Sequence, residues 1–276
     1  MKHIFRRNDL AFLALVCASA ACQPQAASAP SAALAPHGPT AAIPSTAKAA
    51  DTTAIMLDLL RQVDLTTAWR GAPNGAMDGF YGPDNYRISF HLDTVRRDAH
   101  RPNVFYFEGR DRYKRTITPF TGTLTVTRLA PLPDTVEIEH RLGNRAYSAF
   151  ASFVLREDST AKGAGHCTGR AVLDFQVSAK NQAAQAMFGG IDSGWDNPTR
   201  GCGQVFRGVW QDNRTSQRKP VAWATSYWVI VPEVLSKLGL GERNEGVNPE
   251  LARHGWNTIM ENDEWWAKSP NPSLSL

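Results

Sequence analysis

The sequence feature that most constrains the fold is a strict alternation of apolar and polar side chains over residues 86–93. Apolar residues stand at positions 86, 88, 90 and 92, and polar residues stand at 87, 89, 91 and 93. A period of two places one set of side chains on one face of a β-strand. The segment therefore predicts a half-buried strand.

Shorter strand-like runs recur along the chain, with turn residues between them. They lie at 104–108, 121–129, 136–138, 147–155, 173–177, 205–210 and 221–231. Many short strands separated by turn signals favour an antiparallel β-sandwich or a closed β-barrel over a βαβ architecture. Closure would also remove the exposed strand edges. We expect a mainly β fold, either an antiparallel β-barrel or a β-sandwich.

Helical patterns flank this β-rich region. Residues 55–63 carry apolar side chains on roughly one face, and 51–53 offer N-cap residues for an N-terminal helix. Near the other end, Asn248-Pro249-Glu250 predicts an N-cap followed by proline at the first helical position. The segment with Trp256, Trp265 and Trp266 then completes a small helical appendage on the β body.

The first 21 residues have the pattern of an export signal. Three basic residues precede an apolar run of about a dozen residues, shorter than the ~20 that a membrane-spanning helix needs. The run ends in Ser19-Ala20-Ala21-Cys22. This segment resembles the signal peptide of bacterial lipoproteins, in which that cysteine becomes the acylated N-terminus. An ordinary secretory signal cut after Ala20 or Ala21, and a twin-arginine signal at Arg6-Arg7, are the alternatives.

The resemblance to lipoproteins implies a palmitate-type lipid anchor on Cys22 and a place in the bacterial cell envelope. Gln23 is not the aspartate associated with inner-membrane retention, which favours an outer-membrane lipoprotein facing the periplasm. Residues 22–50 are rich in Ala, Pro, Ser and Thr and poor in large apolar side chains. Such a segment predicts a disordered tether, followed by a single β-rich domain over 51–276.

The charge of the chain excludes a global preference for nucleic acid. The formal net charge of +4 falls to +2 without residues 1–21, which carry three basic and one acidic side chain. Local clusters remain between and after the first two predicted strands, and an anionic envelope polymer or headgroup is their expected partner. If those strands pair as a hairpin, the clusters lie at its opposite ends. They comprise Arg96, Arg97, Arg101, Arg110, Arg112, Lys114 and Arg115.

Two cysteines remain after the signal and the anchor, namely Cys167 and Cys202. An even pair in an oxidising compartment predicts a disulfide, which stabilises by roughly 3–4 kcal/mol in the chain-entropy model. A soft metal site that adds His166 is the alternative, although the usual ligand spacing is missing. We expect neither a metal nor a cofactor.

No common catalytic motif is present, so candidate ligand contacts come from aromatic and acidic residues. Asp192, Trp195 and Asp196 lie in a glycine-rich loop, where a turn, a ligand or calcium contact, and glycoside hydrolysis are all compatible with the residues. Trp210 and Trp223 fall in predicted strands, where they belong to the core or line a pocket.

Gly208-Val209-Trp210 resembles the Gly-x-Trp signature of lipocalins, which implies an up-and-down barrel with an interior ligand cavity. In lipocalins the motif lies in the first strand, whereas here it lies late in the chain. The leading hypothesis is a membrane-anchored binding module for a small apolar, glycan or anionic envelope ligand. A protein-interaction lipoprotein (immunity protein, inhibitor or assembly factor) and a glycan hydrolase are the alternatives.

Overall fold

The structure is a computed structural model of the 276-residue chain, and it describes six stretches of it. These are residues 46–71, 75–132, 144–187, 203–230, 247–259 and 264–267. The predicted signal 1–21, the lipidation site Cys22 and most of the tether lie outside the described residues. So do the strand at 136–138, the loop residues Asp192, Trp195 and Asp196, and Cys202.

Nine antiparallel strands are described, and eight of them close into a ring. From β1 to β7 each strand pairs with the next along the chain, and β8 pairs with β6 and β9. β7 and β8 share one edge of β6, and β9 pairs with β1. This is the barrel alternative of the expected fold, in up-and-down order. The strands are β1 (Met77–Tyr81), β2 (Tyr86–Arg97), β3 (Val104–Tyr113), β4 (Thr116–Pro131), β5 (Arg145–Glu157), β6 (Gly165–Val177), β7 (Ala184–Ala186), β8 (Gln204–Asp212) and β9 (Arg218–Ala224).

The alternating pattern in β2 sends its apolar side chains into the barrel. Ile88 pairs with Tyr113 and Phe90 with Asp111 across the β2–β3 ladder. The register shifts between Leu92 and Thr94, and a second shift occurs between β4 and β5. Bulges of this kind bend and twist a strand, which the closed ring requires.

Aromatic rings fill the barrel interior. Trp223 of β9 stacks between Phe90 and Phe206, with ring centroids 4.0 and 4.9 Å away, and Phe153 meets it edge-on at 5.3 Å. The cavity left among these rings and Trp69 measures about 10 Å³, roughly the space of one water. The interior therefore differs from the ligand cavity that the lipocalin resemblance implies.

Two helices close one end of the barrel, α1 (Thr46–Gln62) and α2 (Thr66–Arg70). Trp69 packs against Phe206, and Gln204 Nε2 donates to the carbonyls of Ala68 (2.7 Å) and Trp69 (2.8 Å). The N-terminal helix is thus confirmed, but it begins at Thr46, inside the predicted tether and ahead of the predicted cap. Ile55, assigned to its buried face, is 71% exposed.

The C-terminal segments cover the outer face of β1, β8 and β9, as the sequence predicted. They comprise a 3₁₀ turn (Tyr227–Ile230), α3 (Pro249–Ala252) and a second 3₁₀ turn (Trp256–Thr258). Trp256 stacks on Phe80 at 4.4 Å. The Asn248 side chain accepts from Glu250 N at 2.9 Å, which confirms the predicted cap. The strand predicted over 221–231 is wrong beyond Ala224, where the chain bends into the first turn.

Within the described part of the chain, no helix combines the length and apolar character needed to cross a bilayer.

Candidate functional site

The barrel end away from α2 opens into a pocket of about 270 Å³, here called the mouth pocket. The path of β8 gives this position. Gln204, at the start of the strand, contacts α2 at the closed end, and Trp210, six residues later, lines the pocket. Six strand residues span about 20 Å. Because neighbouring strands run antiparallel, this end collects the ends of β1, β3, β5 and β8 and the starts of β2, β4, β6 and β9.

Three aromatic rings form one wall of the mouth pocket. Tyr81 lies 4.7 Å from Tyr113 and 5.5 Å from Trp210, measured between ring centroids. The Nζ of Lys219 sits 5.0 Å from the Tyr81 ring and 5.7 Å from the Trp210 ring. Burial raises the pKa of the Tyr81 hydroxyl, and the nearby Glu157 charge raises it further. Tyr81 therefore stays protonated at any physiological pH.

Glu157, at the end of β5, is held in place by two donors. Its Oε1 accepts from Trp210 Nε1 at 2.8 Å, and its Oε2 accepts from Gly165 N at 2.6 Å. Burial raises the pKa of this carboxyl, although both hydrogen bonds favour the charged form. Glu157 thus fixes the edge of the Trp210 ring, so that the wall is rigid.

Asp111 of β3 points into the same pocket and is 3% exposed. Its Oδ2 has no hydrogen-bond partner among the described residues. Burial raises the Asp111 pKa to about 8, with a further contribution from the Glu157 charge. At neutral pH the carboxyl is therefore mainly protonated, and it can both donate and accept a hydrogen bond.

Cys167 lies near this end of β6, and its thiol is buried and free. Burial raises its pKa to about 12, with a contribution from Glu157, so it is not a reactive thiolate at neutral pH. Cys202 lies outside the described residues, so the disulfide with Cys167 stays a prediction.

The two tryptophans singled out from the sequence have different surroundings. Trp210 lines the mouth pocket beside Glu157, where a bound molecule can reach it. Trp223 is 2% exposed and belongs to the ring stack in the barrel interior. The ligand contact proposed for Trp223 therefore does not fit its position, because packed rings surround it on both faces.

The two basic clusters lie at opposite ends of the β2–β3 hairpin, as its pairing required. In the cluster at the tip, Arg101 donates to Asp98 and to the Tyr106 hydroxyl, and Arg96 lies over the Tyr106 ring. Arg97 donates to a main-chain carbonyl of α1. The three arginines at the tip therefore form contacts within the protein.

The second cluster follows the outer face of β3 toward the mouth. Arg110 forms a bidentate pair with Asp93 at 3.0 and 2.6 Å. Arg112 lies over the Trp265 ring at 5.3 Å. Lys114 and Arg115 form the exposed turn to β4. These last two residues are the cluster members most available to a ligand.

Sequence reasoning missed Tyr81, Asp111, Tyr113, Glu157 and Lys219 as members of one site. One signal was available. Inward positions of β3 are the odd-numbered ones, from Phe105 and Phe107 onward, so the same alternation places the carboxyl of Asp111 on the apolar face. A carboxyl on such a face indicates either a buried partner or a site.

Among the described residues, no three His, Cys, Asp or Glu side chains come together as a metal site. Comparison with protein-family models, with curated proteins and with solved structures finds no significant match. The function is therefore inferred from the chemistry of the pocket.

Proposed function

We propose that this chain is a binding module that holds a small, uncharged, hydroxyl-bearing ligand, such as a saccharide ring, in the mouth pocket. The observation that carries the proposal is Asp111, which lines this pocket and whose buried Oδ2 has no hydrogen-bond partner in the part of the chain that the structure describes. Leaving a buried polar group without a partner costs about 1–3 kcal/mol. A ligand hydroxyl that bonds to Asp111 removes that cost.

The aromatic wall supports the same ligand class. Tyr81 and Trp210 offer apolar ring surface next to a carboxyl, and Glu157 prevents the Trp210 ring from turning away. A sugar ring presents an apolar C–H face and hydroxyls at its edge, which matches this arrangement. The volume of about 270 Å³ lies just below the usual range for ligand pockets, about 300–1,000 Å³. One ring is the size that fits.

The pocket carries charged groups of both signs, and a purely apolar ligand is disfavoured. Lys162 and Lys219 line it, and so do the carboxyls of Glu157 and Asp212. Asp111 is mainly neutral at pH 7, so it adds little attraction for a cation. An apolar ligand would leave the Asp111 oxygen without a partner.

Binding is favoured over hydrolysis of a glycan. A glycosidase of the usual kind needs one acid and one carboxylate free to act as nucleophile or base. Both oxygens of Glu157 already accept a hydrogen bond, from Trp210 and Gly165. Asp212 also lines the pocket, but its Oδ1 accepts from Arg214 N and Thr215 N in the adjoining turn. The remaining carboxyl, Asp111, supplies an acid without a free carboxylate beside it.

The sequence supplies the cellular setting of this proposal. The lipobox ending at Cys22 supports a lipid-anchored protein of the outer membrane that faces the periplasm. In that setting the module would hold a fragment of an envelope glycan near the membrane.

Native mass spectrometry of the protein purified gently from a periplasm, compared with its denatured mass, tests for a retained ligand. Titration calorimetry with glucose and N-acetylglucosamine then tests the class. Asp111→Leu, which replaces the carboxyl by an apolar group of similar shape, should abolish binding without loss of stability, while Asp111→Asn should retain part of it. Glu108→Leu, on the outer face of the same strand, is the matched control. Equal binding by wild type and Asp111→Leu would contradict the proposal.

A further inference from the structure

A second cavity lies on the outer surface beside the mouth, between β2–β3 and the 3₁₀ turn Trp256–Thr258. It measures about 640 Å³ and is here called the cationic groove. Four basic side chains line it, and no carboxylate does so among the described residues. They are Arg87, Arg112, Lys114 and Arg115. Tyr86 and Thr116 lie between the basic residues and the mouth.

Arg87 forms the fixed floor of the groove. Its Nε donates to Asp78 Oδ1 at 2.9 Å, and its Nη1 donates to Thr258 Oγ1 at 3.1 Å. The Asp78 carboxylate balances the charge of this guanidinium. Arg87 therefore contributes directed N–H donors and holds the Thr258 hydroxyl in place, while Lys114 and Arg115 supply exposed positive charge.

Lys114 and Arg115 supply charge at the rim. They form the two-residue turn between Tyr113 and Thr116, both are exposed, and neither forms an ion pair among the described residues. Lys114 Nζ rests over the rings of Tyr86 and Tyr113, at 5.1 and 5.3 Å from their centroids. These contacts hold the ammonium group above the groove rather than in open solvent.

Lys114 adopts a left-handed backbone conformation, with φ of 58°. This region suits glycine and asparagine better than lysine. The turn thus carries a charged side chain at a position where an uncharged residue would be easier to accommodate.

We propose that the cationic groove binds the phosphate group of a phosphorylated ligand. Guanidinium and ammonium donors are the side chains that bind phosphate in proteins, and Thr116, Asn257 and Thr258 add neutral donors around the same space. This site is distinct from the mouth pocket, although Thr116 lines both. The ligand is a soluble phosphoester or a phospholipid headgroup, which share this chemistry.

The experiment measures pyrophosphate binding by titration calorimetry to the exported chain carrying Cys22→Ser, which cannot be acylated. The test variant is Lys114→Asn with Arg115→Ser, because asparagine tolerates the backbone of this turn. The matched control is Lys180→Asn with Arg214→Ser, which removes the same charge from other exposed loops. Wild type and control should bind pyrophosphate equally, and the test variant at least about tenfold more weakly, as expected from the loss of charge-assisted bonds.

Vesicles of phosphatidylcholine with phosphatidylglycerol distinguish the two sources of phosphate. Binding to pyrophosphate but not to vesicles assigns a soluble phosphoester, and the reverse assigns a headgroup. Equal weakening in the test and control variants, or no saturable binding of either probe by the wild type, would overturn the proposal. Asp111→Leu should leave pyrophosphate binding unchanged, so failure at the mouth pocket does not count against the groove.

Discussion

The buried carboxyl of Asp111 makes the stability of this protein depend on pH in a direction that can be worked out. Its pKa is about 8 in the folded protein and 3.8 in the unfolded reference. Between these two values the folded state keeps a proton that the unfolded chain has released. The free energy of unfolding therefore falls as pH rises through this window, by about 1.36 kcal/mol for each pH unit.

The perturbation is Asp111→Asn, which keeps the shape of the side chain and removes its titration. From pH 5 to pH 8 the wild type should lose about 3.6 kcal/mol relative to the variant, a little less than three pH units at the slope given above, because the slope halves at the folded pKa. Six other titratable residues line the same pocket and are common to both proteins, so the difference reports Asp111 together with its coupling to the Glu157 charge. They are Tyr81, Tyr113, Glu157, Lys162, Asp212 and Lys219.

The assay is urea unfolding followed by tryptophan fluorescence at four pH values between 5 and 8. A difference in the free energy of unfolding that does not vary with pH reports packing of the amide. A change of that difference with pH reports the proton on Asp111. Parallel pH profiles for wild type and Asp111→Asn would refute the reasoning, because Asp111 would then have the same pKa in both states.

Three further predictions concern the fold. Gly79→Ala should open the β1–β9 seam, because a Cβ there would lie 2.1 Å from the Ala222 carbonyl oxygen; thermal unfolding should show a large drop in Tm, and an unchanged Tm would contradict the seam geometry. Asn248→Ala should remove the α3 cap and cost about 1 kcal/mol in urea unfolding, with no effect expected on the barrel. Cys167 should resist iodoacetamide in the native protein and react fully in urea, because its thiol is buried and its pKa is about 12; peptide mapping that finds rapid native labelling, or no labelling in urea without reductant, would contradict the buried free thiol.

Strict alternation made most of the barrel predictable. The pattern of 86–93 identified β2, and the cap residue Asn248 identified α3, because each signal arises from neighbours along the chain. β1 was missed because Gly79 interrupts its pattern. Glycine at position 79 allows β9 to approach closely. The residues around Gly79 do not indicate which strand packs there, so this reason for the glycine could not be predicted.

The mouth pocket was less predictable than the strands, for a related reason. Trp210 was predicted as a candidate ligand contact because it is an aromatic residue in a predicted strand. Asp111 and Glu157 resemble ordinary solvent-exposed polar residues in the sequence. They share a site only because β3, β5 and β8 end at the same rim of a closed ring. That closure depends on the β9–β1 pairing, which is a property of the whole chain.

The order of strands around the ring also sets the order in which the protein can fold. Most pairings join consecutive strands as hairpins that form within microseconds, whereas the β6–β8 pairing passes over β7 and joins residues at least 31 positions apart. The seam joins Asp78 to Ala224 and must close a loop of more than a hundred residues, for which chain entropy costs about 4 kcal/mol. Folding should therefore nucleate in the hairpins and zip around the ring, with the seam as the final step. The same seam is where unfolding begins, so stabilising β1 against β9 should lengthen the lifetime of the native barrel more than it speeds its formation.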